Sequence, residues 1–381
     1  MKVGLVCFHT FSQPGGVKKH VLGLFKEFKR RGIKTKIIVP RRNENENYGK
    51  DVILLGTSFP LTFNGSQSDF DINFNPLAIN KVLEKEKFDV LHFHNFDFPS
   101  IFQILRKSNA LNILTFHSNI KGSKFLKGFP ILIEGIKKIV KWKVDGVIGV
   151  ASFNLDIFKD FKKPKAIIPN GIDLKEFNPK VRKIKKFLPE QGRRINILFL
   201  GRIEERKGLI YLLKAYKILE EKFSNLRLIV VGEGPLKIEM EDWVRKNKLK
   251  NVVFEGKVKE EDVPFYFNTC DIYCSPAIFG ESFGIVILEG MACGKPVVAF
   301  ANEGYKELLT GKKGGILVKN RSYRELAKTL EKLIKNKKLR KKIGKLALRE
   351  VKEYSWNKVA DRVLSFYDLC KKEKMGKVKF F

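Results

Sequence analysis

Two separate series of short apolar runs, each alternating with amphipathic segments, leave this chain few ways to fold. In the first series, strand-like runs stand at Val3–Cys7, Thr35–Val39, Val52–Leu55, Phe88–His92, Asn112–Phe116, Val144–Val150 and Ala166–Ile168, with helical periodicity over Val17–Arg30 and around Leu132–Lys143. In the second, Asn196–Leu200, Leu226–Val231, Val252–Glu255, Ile272–Ser275 and Val297–Ala299 are strand-like, and Leu209–Phe223, Leu236–Lys246 and Phe283–Cys293 are helical. This βα rhythm predicts mostly parallel sheets covered by helices. Pro179–Arg194, rich in Lys and Arg and holding Pro189 and Gly192, has the composition of an exposed connection. Three further helical stretches, about 321–336, 338–354 and 356–371, close the chain. A length of 381 residues suits two cores. The expected architecture is α/β, with two facing Rossmann-like doubly wound domains: the first over 1–180, a linker over 181–194, the second over 195–355, and a terminal helix over 356–381 that crosses back towards the first.

Open parallel sheets bind ligands outside the carboxyl ends of their strands, so the strand-to-helix loops and the crevice between two such domains are the expected site. The most informative loop is Gly280-Glu281-Ser282-Phe283-Gly284-Ile285-Val286-Ile287-Leu288-Glu289. It joins a turn, a Ser282 suited to cap a helix, and an apolar helix. Backbone N–H groups of Phe283, Gly284 and Ile285 would face an anion such as a diphosphate, and glycine lets it approach closely. The eight-residue step from Glu281 to Glu289 corresponds to roughly 12 Å along a helix, a spacing suited to carboxylates on either side of a pyrophosphate. Glu289 falls within an apolar run, where an unpaired charge is costly, so an incidental acid is a poor explanation.

After the run Asn196–Leu200, the loop Gly201-Arg202-Ile203-Glu204-Glu205-Arg206-Lys207-Gly208 carries cations. Fixed Arg and Lys stabilise a departing phosphate without a metal; Arg206 reads as a surface charge. Pro14-Gly15-Gly16-Val17 opens the first helix but lacks the spaced three-glycine dinucleotide fingerprint, which excludes a nicotinamide enzyme at this loop. His117 ends one strand, where it is placed to hydrogen-bond a ligand, and His92 and His94 end the strand before it, on one face and without a clear third metal ligand. Asp69-Phe70-Asp71 imitates a metal-binding acid pair but stands among Asn, Ser and Gly in an expected loop. Val231–Pro235 and Pro169–Asp173 need only tight-turn chemistry.

Net charge is the compositional outlier: 75 Lys and Arg against 41 Asp and Glu leave +34. A lysine-rich solvated surface accounts for this, and so does a partner carrying phosphate, whether nucleic acid, an anionic membrane surface or a phosphorylated small molecule. No nucleic-acid-binding module or aromatic-interleaved basic stretch accompanies the charge, so no nucleic-acid partner is expected. Every apolar run is interrupted before it reaches the length of a bilayer crossing. Leu132, Ile136, Ile139 and Val140, flanked by Lys137, Lys138, Lys141 and Lys143, fit a helix packed on the first sheet better than one lying on an anionic leaflet. Five scattered cysteines, an odd number, suit reduced core thiols in a cytoplasm.

These motifs resemble those of the retaining glycosyltransferases of family 4, enzymes of the two-domain GT-B fold, over nearly the whole chain. The glutamate, seven residues, glutamate arrangement of Glu281 and Glu289 is that family's signature. The resemblance implies a nucleotide-sugar donor and a hexosyl transfer with retention that requires no metal and no cofactor. It assigns Glu281 to hydroxyls of the transferred sugar and Glu289 to the ribose. Phe283, Gly284, Ile285 and Gly16 go to the diphosphate, Arg202 and Lys207 to the leaving phosphates, and Gly232, Lys257 and Val258 to the nucleotide pocket. His117, Glu281, Arg202 and Lys207 form the expected catalytic set. His9, Gly15, Lys18, Asn95 and Ser118 form the expected acceptor side.

Within the family, Pro14–Val17, Leu91–His94, Thr115–Ser118 and Gly280–Val286 are most like the phosphatidyl-myo-inositol mannosyltransferases. That likeness implies GDP-mannose, an inositol phospholipid, and a cytoplasmic enzyme peripheral on the inner face of the cell membrane. Lys18 stands where those enzymes carry a polar amide, and their basic docking cluster is here Lys81–Lys87, diluted by acids. The alternatives are a UDP-sugar donor with another glycolipid or polysaccharide product, a nucleotide-sugar epimerase on the same fold, and a basic nucleic-acid-binding protein.

Overall fold

Strands buried on both faces read as continuous apolar runs, and such runs form the middle of each sheet. The computed structural model describes residues 1–8, 10–12, 15–63, 66–96, 99–118, 130–188 and 194–378. The chain divides into two units, Met1–Gly171 with Trp356–Phe381, and Ile172–Ser355.

Unit 1 holds β1 (Lys2–Cys7), β2 (Lys34–Arg41), β3 (Val52–Phe63), β4 (Ser66–Ile72), β5 (Val90–His94), β6 (Leu111–Phe116), β7 (Gly146–Gly149) and β8 (Lys165–Ile167) in one sheet of order β4-β3-β2-β1-β5-β6-β7-β8. All pairs are parallel except β3 with β4. Its helices include α1 (Gly16–Arg30), α2 (Pro76–Glu86), α3 (Ser100–Lys107) and α4 (Pro130–Lys143). Because β1 pairs with β2 on one side and β5 on the other, the carboxyl ends of β1 and β5 flank a topological switch point.

Unit 2 repeats the plan with β9 (Ile195–Leu200), β10 (Leu226–Val231), β11 (Val252–Gly256), β12 (Ile272–Ser275), β13 (Val297–Phe300) and β14 (Gly315–Val318) in the order β11-β10-β9-β12-β13-β14. Its helices are α5 (Leu209–Glu220), α6 (Lys237–Lys246), α7 (Val263–Thr269), α8 (Ile285–Ala292), α9 (Glu303–Leu309), α10 (Tyr323–Lys335) and α11 (Lys337–Glu350). The switch point here lies between β9 and β12.

The last helix, α12 (Trp356–Val378), belongs to unit 1. Its Val359, Val363, Phe366 and Tyr367 are buried in one cluster with Val3, Leu5, Leu24 and Phe28. At roughly 25 cal/mol per Å2 of apolar surface, each such side chain contributes about 1.5–3 kcal/mol. Polar ends finish the docking: Arg31 pairs with Asp361, and Lys374 with Asp145.

Three expectations are corrected. The chain passes between units at Gly171/Ile172, earlier than the expected 181–194, because the polar stretch is anchored onto unit 2. Phe177 packs edge-on against Phe267, the Ile184 N–H donates to Thr269 Oγ1 at 2.9 Å, and Phe187 is buried. Pro189 and Gly192 themselves lie outside the described residues. Second, Asp69-Phe70-Asp71 lies in strand β4, not in a loop, paired with β3 from Thr57↔Ile72 to Phe63↔Ser66. A polar edge strand carries no apolar alternation to betray it; the Asn64-Gly65 dipeptide, favoured in two-residue hairpin turns, was the available signal. Third, α2, α3, α7, α9 and β14 are not among the expected elements; α7 and α9, of seven residues each, are too short for helical periodicity to announce them.

Candidate active site

In unit 2 three loops at the carboxyl ends of β9, β10 and β12 are stitched together by backbone, and glycine is required at the joins. The Gly201 N–H donates to Val231 O, Ile203 N–H to Glu233 O and Ile278 N–H to Arg206 O. A Cβ on Gly232 would stand 2.0 Å from Gly201 O, and one on Gly208 2.1 Å from Pro276 O. The Gly232 N–H reaches Gly256 O, which brings Gly232 beside the half-buried Val258 and the exposed Lys257 that follow β11.

Helix α8 begins two residues later than expected. Its N-cap is Gly284, left-handed at φ 95°, without a side-chain cap, so Ser282 does not cap it. Gly284 is doubly constrained, since a Cβ there would also lie 2.5 Å from the Tyr305 ring. That ring is held by its hydroxyl, 2.7 Å from Ser275 Oγ, and by Asn302, whose Oδ1 accepts the Tyr305 N–H. As at any helix start, the first N–H groups have no intrahelical partner and favour an anion. Phe283 is buried, its ring centroid 6.1 Å from that of Tyr354, and Glu289 lies buried within α8.

Electrostatically the centre of this site is Glu281. Lys207 Nζ donates to its Oε1 at 2.6 Å and Arg206 at 3.1 Å. Burial pushes the carboxyl up, but Lys207 and Arg206 together outweigh it and hold the group below its ordinary 4.5. Arg206 is thus part of the site rather than a surface charge, and it also pairs with Glu204 at 2.5 Å. Arg202, about a third exposed, lies 3.5 Å from the same Glu204. Two or three cations converging on buried carboxylates form a set of fixed charges able to meet phosphate without reorganisation. Neither Glu204 nor the Arg206 contact is visible from spacing, because both depend on how the loop after β9 folds back.

In unit 1, α1 starts at Gly16 behind the extended Gly15, whose missing side chain would meet open space. Lys18, on the first turn, lines a cavity of about 380 Å3 with Phe11, Leu22, Phe25 and Tyr48. At the ends of β5 and β6, Asn95 is left-handed at φ 65°, and its Oδ1 accepts the His117 N–H at 2.8 Å and bonds Ser118 Oγ at 3.3 Å. The structure thus brings Asn95, His117 and Ser118 together; His9 and Pro14 lie outside the described residues.

The histidines separate by role. His92 is bonded on both nitrogens at 2.6 Å, to Tyr367 Oη of α12 and to Thr115 Oγ1, and is structural. His94 Nδ1 faces His117 Nε2 at 3.3 Å, and His20, unnoticed in the sequence because it sits on a helix far from the other histidines, packs on His117 at 4.7 Å between centroids. Burial lowers His20 to about 4, against a smaller raising effect of Asn170, and holds His92 and His94 well below the usual range.

The fold is that of solved sugar-transfer enzymes. Sucrose-phosphate synthase from Thermosynechococcus elongatus superposes with a TM-score of 0.76 at 20% identity, covering 96% of this chain and 98% of that one. Anabaena Alr3699/HepE, solved with UDP and glucose, gives 0.72 at 16% identity, covering 96% and 99%. Two doubly wound units of this kind define a GT-B glycosyltransferase fold. The profile described as "Glycosyltransferase Family 4" matches residues 14–176, and that of "Glycosyl transferases group 1" residues 180–349. Over 377 residues, 97% of this chain and 96% of the relative, it is 30% identical to the phosphatidyl-myo-inositol mannosyltransferase of Mycobacterium leprae (strain TN). The chain therefore belongs to glycosyltransferase family 4 and is a transferase enzyme. Among the described residues no helix is long and apolar enough to cross a membrane.

Proposed function

We propose that this glycosyltransferase moves a hexose, mannose from GDP-mannose in the favoured reading, onto a membrane-lipid acceptor such as phosphatidylinositol, with retention and without a metal at the phosphates. The observation that carries the reading is the Lys207–Glu281–Arg206 cluster beside the glycine-started α8, at the switch point of unit 2. In this reading Glu281 holds hydroxyls of the hexose and Glu289 the ribose. Phe283, Gly284, Ile285 and Gly16 serve the diphosphate, and Gly232, Lys257 and Val258 the base. Arg202 and Lys207 stabilise the leaving nucleoside diphosphate.

The bond from the anomeric carbon to the phosphate oxygen breaks on the face where the acceptor oxygen bonds. The acceptor proton passes to the leaving phosphate oxygen. His117, whose backbone N–H is held by Asn95, is assigned to the reacting sugar. The acceptor falls to Gly15, Lys18, Asn95 and Ser118, with His9. The names of the relatives support an inositol lipid. A net charge of +34 favours an anionic surface, and Trp142, 59% exposed between Lys141 and Lys143, is suited to a lipid interface. Elsewhere on α4, Val140 is buried and Ile136 and Ile139 are half-buried against the core of unit 1, and the side chain of Leu132 lies outside the described residues.

The test is a screen of GDP-, UDP- and ADP-sugars with phosphatidylinositol vesicles as acceptor. Transfer from GDP-mannose is expected; consumption of a UDP-sugar instead moves the donor assignment, and epimerised sugar without acceptor indicates the epimerase chemistry. If no nucleotide sugar is bound or consumed, the transferase reading of this site is lost. Glu289→Ala is expected to weaken donor binding by about 10-fold or more, the loss of a charged hydrogen bond.

A further inference from the structure

Four of the five histidines of the chain gather in the buried interior of unit 1, and the proposed transfer uses one of them. We propose that His20, His94 and His117 form a site for a divalent transition-metal ion, Zn2+ above all. The three side chains offer ligand nitrogens that all lie within 4.8 Å of one another. A tetrahedral ion with bonds of about 2.0–2.1 Å needs nitrogens about 3.3 Å apart. His94 Nδ1 and His117 Nε2 already stand at 3.3 Å, so small ring rotations complete the set.

Two further observations point to a ligand. His20 Nε2 is a buried polar atom with no hydrogen-bond partner among the described residues. Such atoms are costly unless a third component satisfies them. The other nitrogen of His20 faces Asn170 Oδ1 at 2.7 Å. An amide oxygen there takes the Nδ1 proton and leaves the Nε2 lone pair for a metal, the outer-shell arrangement typical of metal-bound histidine. His92, bonded on both nitrogens, is excluded as a ligand.

Three neutral imidazoles select Zn2+, Co2+, Ni2+ or Cu2+ over Mg2+ and Ca2+, and they leave a fourth position for water. His20, on α1, supplies the third ligand that the strand ends carrying His94 and His117 lack. One consequence rests on the proposed function: an ion here engages His117, so Zn2+ inhibits transfer and a chelator restores it.

The test uses the full chain, stripped of metal by chelator and titrated with Co2+ and then Zn2+. Expected are the intense visible bands of four-coordinate Co2+, one ion per chain, abolished by stoichiometric Zn2+ and unaffected by excess Mg2+. His20→Asn and His94→Gln should each lose the bands. Asn170→Ala, which removes no ligand, should weaken affinity about 10–100-fold. Circular dichroism reports whether each variant is folded, and Asn170→Ala carries the test if a histidine variant is not. No Co2+ spectrum, the weak bands of six-coordinate Co2+, or bands that survive in folded His20→Asn overturn the proposal. Binding without inhibition supports the metal site and counts against the catalytic role of His117, so the two failures are distinguishable.

Discussion

Gly284 shows how one residue carries both conformation and chemistry. Its φ of 95° and the Tyr305 ring 2.5 Å from where a Cβ would be exclude any other residue without movement of α9 or of the loop before it. Gly284→Ala is expected to destabilise unit 2 by about 1–3 kcal/mol and to weaken nucleotide-sugar binding beyond that of a control substitution elsewhere on α8. Calorimetry and equilibrium dialysis check this; unchanged affinity removes the turn from the donor site. Glu281 makes a pH-dependent prediction. Lys207 and Arg206 lower its pKa in the fold, so its contribution is present above the ordinary 4.5 and is lost as pH falls through the lower, folded value. The stability gap between wild type and Glu281→Gln should be widest near neutrality and close below pH 4.5, as followed by urea unfolding. A gap independent of pH speaks against the ion cluster. The residue types of this site were legible in the sequence: glycine where backbone must approach, cations near a strand end, a glutamate in an apolar run. Arg206 and Glu204 were not, because an ion pair between loops depends on the turn that brings them together.

At the scale of elements, α12 packs on α1 without room for an added methyl group. A Cβ on Gly23 would stand 2.0 Å from the Trp356 indole, and Arg30 of α1 and the following Arg31 reach Asn357. Gly23→Ala is expected to cost about 1–3 kcal/mol, lowering the melting temperature of unit 1 by about 2–4 °C per kcal/mol, although alanine is the better helix former. A stabilised Gly23→Ala variant contradicts the packing described. The long helices and inner strands were readable because their apolar periodicity is strong. The β3–β4 hairpin, α9 and β14 were not, since short or edge elements take their stability from neighbours rather than from their own pattern.

For the whole molecule, the charge of +34 predicts that binding to phosphatidylinositol vesicles falls steeply between about 50 and about 500 mM salt, as the Debye length shrinks from above to well below 10 Å. Sedimentation with vesicles measures it, and salt-insensitive binding excludes an electrostatic docking mode. The amino-acid sequence by itself determined the α/β class, the two series of strands, the loop Gly280–Glu289 and the cationic loop before it, because periodicity, glycine and charge act over a few neighbouring residues. Only the tertiary structure decided where one unit ends and the next begins, that Lys207 and Arg206 meet Glu281, and that His20 joins His94 and His117. Lys207 and Glu281 are 74 residues apart, and His20 and its partner Asn170 are 150 apart. Contacts over such separations follow from the order in which parallel strands are laid beside a switch point, and no local pattern encodes that order.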